Sequence, residues 1–194
     1  MTHLIGQVRD NMPLLVTAFE QKAKFLGTDH PILITGIGKV NTAIGLTQTL
    51  AASTARPSVI VALGTAGALS DDHGGGLHVI SEVIQHDLDS GPLESMTGQV
   101  YGAPIELSDR TGVTLATGDT FIADSQVRAK LAHRAALVDL CGYSLAAAAN
   151  AFHIPIRIVK YVSDNADESA MLTWGGAMEY AAWHMAGWVR AHVH

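Results

Sequence analysis

Cysteine is almost missing from this chain. Only Cys141 occurs in 194 residues, which excludes an internal disulfide framework and fits a reducing cytoplasm. Charge is scarce as well, at 15% of residues, and aromatic residues make up 6%. Twelve basic residues against eighteen acidic ones give a formal net charge of −6. With no basic stripe in the sequence, nucleic acid is not an expected partner. No apolar run reaches the roughly 18–20 residues that a bilayer-crossing helix needs. The start, Met1-Thr2-His3-Leu4-Ile5-Gly6, lacks the basic region and apolar stretch of a signal peptide, so a membrane is not expected either.

Small and apolar residues are plentiful. Hydrophobic residues account for 48%, and there are 19 glycines. A chain of this length can bury a full core unaided, and one domain over residues 1–194 is expected. Short apolar runs alternate with longer helical segments. Strands are predicted at Leu14-Leu15-Val16, Ile32-Leu33-Ile34, residues 58–63, Leu77–Ile84, Gly112–Ala116 and Ile156–Val162. Helices are predicted at about 19–26, 40–54, 124–132, 141–151 and 173–192, with Ala-rich faces that allow close packing on a sheet. The pattern predicts an α/β fold of three layers, in which helices flank a central mixed, mostly parallel sheet. Residues 87–110 show little periodicity and read as a functional loop or as a plain surface loop.

Ligands of such sheets gather at the carboxyl ends of strands. Three strand ends carry candidate residues. Gly64-Thr65-Ala66-Gly67-Ala68 combines a hydroxyl with glycines that let a backbone approach a ligand; a tight turn is an equal reading. In Thr117-Gly118-Asp119-Thr120-Phe121-Ile122, an aromatic ring beside a polar turn could line a flat heterocycle's pocket or sit in the core. The third, Ser163-Asp164-Asn165-Ala166-Asp167, follows a β-branched run. An Asp just past a buried strand is suited to general acid chemistry, whereas an Asp that caps the next segment is the plainer alternative. His86-Asp87-Leu88-Asp89 offers metal-ligand atoms without a partner cluster, so neither metal nor cofactor is expected. His184 and Trp188 on helix 173–192 read as parts of a packed terminal helix.

These turns resemble those of the bacterial methylthioadenosine/adenosylhomocysteine nucleosidases, within the nucleoside phosphorylase superfamily. Thr35-Gly36-Ile37-Gly38-Lys39-Val40 is similar to that family's "SGIGKV", and Gly64-Thr65-Ala66-Gly67 to "GSAGG". Glu82 through Asp89 is similar to "DE…YHDAD", Gly118–Ile122 to "GDAFI", and Ser163–Asp167 to "SDVAD". The segments occur in the family's order along nearly the whole chain. The resemblance implies that Asp164 protonates purine N7 as the glycosidic bond breaks, with Ser163 holding its loop. It also implies that Phe121 stacks on the base and that the Ile122 backbone bonds the base edge. Thr65 and Gly67 would lie near the water and the ribose. Protonating the base stabilises the leaving group while an oxocarbenium-like sugar develops.

Two segments depart from the family. Its "GAMEEE", whose last Glu activates the water, appears as Thr17-Ala18-Phe19-Glu20-Gln21-Lys22. Lys22 stands where that Glu belongs, and Glu20 is the nearest carboxylate substitute, although two residues along a helix is a different direction. The family's "VEMEA", which grips the ribose, appears as Val138-Asp139-Leu140-Cys141-Gly142. Leu140 and Cys141 then fall at the sugar, and a thiol does not accept hydrogen bonds as a carboxylate does. The expected activity is hydrolysis of the N-glycosidic bond of a purine-type nucleoside, with Asp164 and Glu20 as catalytic candidates. The alternatives are a catalytically impaired nucleoside-binding or regulatory protein and, third, a purine nucleoside phosphorylase. Phosphorolysis is disfavoured because the residues before Gly64 are apolar and the turn carries no cation. The apolar composition and the resemblance together imply a homodimer.

Overall fold

The computed structural model describes residues 2–194. In chain order the strands are β1 (His3–Ile5), β2 (Leu14–Thr17), β3 (Ile32–Ile34), β4 (Ile60–Ala68), β5 (Leu77–Gln85), β6 (Ile105–Glu106), β7 (Val113–Thr117), β8 (Leu137–Asp139) and β9 (Ile156–Asp164). The helices are α1 (Glu20–Ala23), α2 (Lys39–Ala52), α3 (Ser90–Thr97), α4 (Ser125–Leu131), α5 (Gly142–Ala151) and α6 (Ala170–His192).

The three-layer arrangement follows from period-two burial along the strands. Leu14 and Val16 of β2, Leu33 of β3, Ile60 and Ala62 of β4, and Ile156 and Ile158 of β9 join one core cluster. Leu46 and Leu50 of α2 and Leu145, Ala146 and Ala149 of α5 pack into that cluster. The intervening residues Leu15, Ile32, Ile34, Val61, Leu63 and Val159 turn to the opposite face. There they meet Ala181, Met185, Ala186 and Val189 of α6. Strands buried on both faces have no polar side, which is why their sequence reads as unbroken apolar runs.

The sheet is mixed. β2 pairs in parallel with β3 and β4, β4 with β9, β5 with β7, and β7 with β8. The pairings β1–β3, β4–β8, β5–β6 and β5–β9 are antiparallel. The long strands β4, β9 and β5, with β7 and β8, close a ring of pairings: β4–β9, β9–β5, β5–β7, β7–β8 and β8–β4. That ring draws the ends of β4, β8 and β9 together.

Three local expectations are corrected. Gly64–Ala68 is not a turn but the second half of β4; Gly64–Gly67 pair with β9 through a bulge after Ala66, and Gly67 and Ala68 pair with β8. Residues 87–110 are not irregular throughout, since they contain α3 and β6. The short α3 is partly concealed in the sequence by Gly91 and Pro92, and Pro at the third helical position lacks only an N–H that has no intrahelical partner there. Helix α1 spans only four residues, shorter than the predicted 19–26.

Candidate active site

A cavity of about 400 Å³ opens where β2, β4, β8 and β9 end. Its wall includes Thr17, Phe19, Lys22, Thr65, Gly67, Phe121, Ile122, Leu140, Cys141, Lys160, Ser163 and Asp164. Residues more than a hundred positions apart in sequence thus share one enclosure. Every substrate-binding residue expected from the sequence lies on its wall.

Asp164 is the last residue of β9 and is 8% exposed. Ser163 Oγ donates a hydrogen bond to its Oδ2 at 2.8 Å, and the Ala166 amide donates to Oδ1 at 2.9 Å. Ala166 adopts a φ of 53°, so the chain turns sharply enough to aim its amide back at the carboxylate. The Asp164 carboxyl is therefore held from both oxygens rather than left to rotate. Gly67 has a role here: a Cβ on it would lie 2.8 Å from Asp164 Oδ1 and 3.0 Å from Ala166 Cβ. Its missing side chain makes room for the carboxylate, not for a close backbone approach to a ligand.

Phe121 is 41% exposed at the cavity mouth, whereas Ile122 is buried in a cluster with Val138 and Ala166. The segment before them is anchored by Asp119, whose Oδ1 accepts from the Lys39 amide at 2.8 Å. The Asp119 amide in turn donates to Asp87 Oδ2 at 2.8 Å. Lys39 Nζ pairs with Asp87 at 2.6 Å. Burial opposes ionisation of Asp87, but the Lys39 ammonium and the Asp119 amide prevail and hold its carboxyl below the usual range. Asp87 is thus part of a brace that joins the turn before α2 to the turn before α4, whereas His86 Nε2 has no hydrogen-bond partner among the described residues. Among the described residues, no three His, Cys, Asp or Glu side chains come together to hold a metal ion.

The remaining wall is built differently. Asp139 ends β8 almost fully buried, and its carboxylate is saturated. Thr117 Oγ1 donates to it at 2.6 Å, the Gly142 amide at 2.9 Å, and Lys160 Nζ lies at 2.7 Å. A Cβ at Gly64 would meet Lys160 Nζ at 2.9 Å, so that glycine accommodates the lysine. Cys141 caps the start of α5 and is 8% exposed; burial and the nearby Asp139 push its thiol up. Lys22 is 3% exposed, and its Nζ donates to Thr65 Oγ1 at 3.0 Å. Burial and the neighbouring Lys160 charge lower its pKa from 10.5 to about 7.

Glu20 is corrected by this geometry. It is exposed, off the cavity wall, and borders a separate depression with His3, Lys24 and Gly36. The helical turn that brings Lys22 inward sends Glu20 outward. Met171 and Trp174 of α6 line the cavity, whereas no residue of the segment 87–110 does. The statement that the Gly64 turn carries no cation fails in three dimensions, where Lys22 reaches Thr65 and Lys160 lies against Gly64.

Sequence reasoning missed Lys160 and Thr17. A lysine in the middle of the apolar run Ile156–Val162 signals a buried charge that must find a partner. Thr17 Oγ1 is buried on the cavity wall and has no hydrogen-bond partner among the described residues.

The family model of the phosphorylase superfamily matches residues 24–184 of this chain. The chain is 33% identical over 183 residues to a 5′-methylthioadenosine/S-adenosylhomocysteine nucleosidase of Exiguobacterium, covering 82% of this chain and 78% of the relative. It is 31% identical over 190 residues to the protein of that name from Geobacillus kaustophilus, covering 85% and 79%. The futalosine hydrolase of Helicobacter pylori superimposes with a TM-score of 0.81 at 20% identity, over 93% of this chain and 96% of that one. The chain belongs to the 5′-methylthioadenosine/S-adenosylhomocysteine nucleosidase family of the phosphorylase superfamily.

Proposed function

We propose that this protein hydrolyses the N-glycosidic bond of a purine-type nucleoside, of the methylthioadenosine or adenosylhomocysteine kind, to free base and sugar. The observation that carries the reading is the doubly hydrogen-bonded Asp164 at the end of β9, on the wall of a cavity whose mouth holds Phe121. Asp164 supplies the proton to the leaving base, and Ser163 orients its carboxyl. Phe121 stacks on the base and the backbone of Ile122 bonds its edge. Thr65, Gly67, Leu140 and Cys141 face the sugar.

The activity resides in one domain over residues 1–194, in the cytoplasm, without a cofactor. The working unit is a homodimer. The exposed apolar side chains Val40, Ile44, Phe121, Met171, Leu172, Tyr180 and Trp183 supply a surface of the kind that oligomers cover.

A panel of purine nucleosides, assayed with and without phosphate for release of free base, tests the reading. Release in phosphate-free buffer is the expected result. Strict dependence on phosphate would make the protein a phosphorylase, and tight binding without release a nucleoside sensor. Cys141 and Lys22 in place of two carboxylates are the specific features that favour the sensor.

A further inference from the structure

We propose that Lys22, as a neutral amine, is the base that takes the proton of the attacking water. The proposal rests on the hydrolytic reading above and supplies the group that Glu20, exposed and turned away, does not.

The two buried lysines of the cavity are in different situations. Lys160 lies 2.7 Å from the Asp139 carboxylate, and Thr117 and Gly142 complete that carboxylate's hydrogen bonds. Asp139 takes its hydrogen bonds from those three groups and makes none to Lys22. Among the described residues Lys22 has no carboxylate partner at all; its one hydrogen bond runs to the Thr65 hydroxyl at 3.0 Å. An ammonium buried without a counter-ion costs several kcal/mol, and shedding its proton is the usual relief.

The surroundings agree. From β9 the positive Lys160 opposes a second charge, and burial opposes it more, which together bring Lys22 to about 7. Asp139 and Cys141, from β8 and the start of α5, act weakly the other way. The Phe19 ring, 5.1 Å from Nζ, also favours the ammonium. Helix α6 packs on α1, but its cavity residues Met171 and Trp174 carry no charge, and its Glu179 pairs with Lys24. At neutral pH a large share of Lys22 thus carries a free lone pair inside the cavity.

The step balances. As the bond between N9 and C1′ breaks, its electron pair passes to the purine, which takes a proton from Asp164. The water oxygen bonds to C1′ and its proton passes to Lys22 Nζ. Solvent exchange then returns a proton from Lys22 to Asp164. Binding of an anion is the other use of a buried lysine, but the backbone beside Thr65 is a paired strand, not an open nest of amides.

The test is the pH dependence of kcat/KM for base release in phosphate-free buffer, for the wild type, K22Q and K22E. The wild type should trace a bell in pH, because Lys22 must be neutral while Asp164 keeps its proton, with one limb near the Lys22 value of about 7. K22Q should lose about 100-fold or more, together with that limb. K22E should recover much of the rate with that limb displaced to lower pH, an outcome that a purely structural lysine would not give. Wild-type rate and profile in K22Q would overturn the proposal while leaving hydrolysis intact. So would a K22E profile that keeps its limb near 7, a reading that stands even if K22Q does not fold. A phosphate requirement that K22Q abolishes would make Lys22 an anion ligand and overturn it too. No release by the wild type at any pH would overturn the hydrolytic reading itself.

Discussion

The cavity wall consists of two groups of residues with different electrostatics. Ser163, Asp164, Phe121 and Ile122 keep the residue types that the nucleosidase family shows in its motifs. Lys22, Leu140 and Cys141 do not, and around them a second set of contacts has formed. In the first group an acid is held by neutral donors, a hydroxyl and an amide. In the second, Lys160 is neutralised by Asp139, and Lys22 is left to neutralise itself by losing a proton. A buried lysine beside a carboxylate forms an ion pair, whereas one without a carboxylate partner has its pKa lowered by burial.

Asp139 is the residue on which the second group of contacts depends most. It saturates Lys160 and holds the first turn of α5 through the Gly142 amide. Asp139→Asn keeps the shape but leaves Lys160 buried and unpaired, which should cost about 3–5 kcal/mol of stability. Urea unfolding checks it; a loss under 1 kcal/mol would mean that water or another group can replace the carboxylate.

Lys22→Met should have the opposite sign. The folded-state pKa of Lys22, about 7, lies below its ordinary 10.5. Between those values the unfolded chain holds a proton that the folded chain has shed, so stability rises with pH across that window. The penalty is full below about pH 7 and vanishes above about 10.5. Methionine should therefore stabilise the protein by about 1–3 kcal/mol at pH 6, with the gain shrinking as pH rises through 10. A gain independent of pH would assign the effect to packing instead.

A smaller effect, on binding, should come from Cys141→Glu. A carboxylate there can accept from both sugar hydroxyls, and each charge-assisted bond contributes roughly 1.5–3 kcal/mol before desolvation is subtracted. Ribonucleosides should gain about tenfold in affinity over their 2′-deoxy counterparts. Calorimetric titration at pH 7 and pH 8 checks the ratio, the higher value guarding against a carboxyl pKa raised by burial. An unchanged ratio in a folded variant would move the sugar site away from Cys141. Because Asp139 is already saturated, it is not a substitute clamp.

How far this was legible in the sequence depends on how local the signal is. Strands β2, β3, β5, β7 and β9 announce themselves as β-branched or apolar runs, and the turn at Asp164 follows directly from the last of them. Strand β3 is as short as β1 and β8 but is apolar throughout, whereas β1, β6 and β8 each include a polar or charged residue and form no run. The pairing of β4 with β9 turned an expected glycine turn into strand, since register is fixed by a partner about a hundred residues away. The Lys22–Thr65 contact spans 43 residues and the Lys160–Asp139 pair joins β9 to β8, and no spacing rule connects either. Only the oddity of a lysine inside an apolar strand pointed that way.

In the proposed reaction Asp164 protonates the leaving base. Its most direct test is single-turnover release of adenine from 5′-methylthioadenosine in phosphate-free buffer, comparing the wild type with Asp164→Asn. The amide keeps the size of the side chain but donates no catalytic proton, so release should fall by about 10³-fold or more, with nucleoside binding and thermal stability close to wild type. Release at the wild-type rate in a folded Asp164→Asn protein would contradict the account.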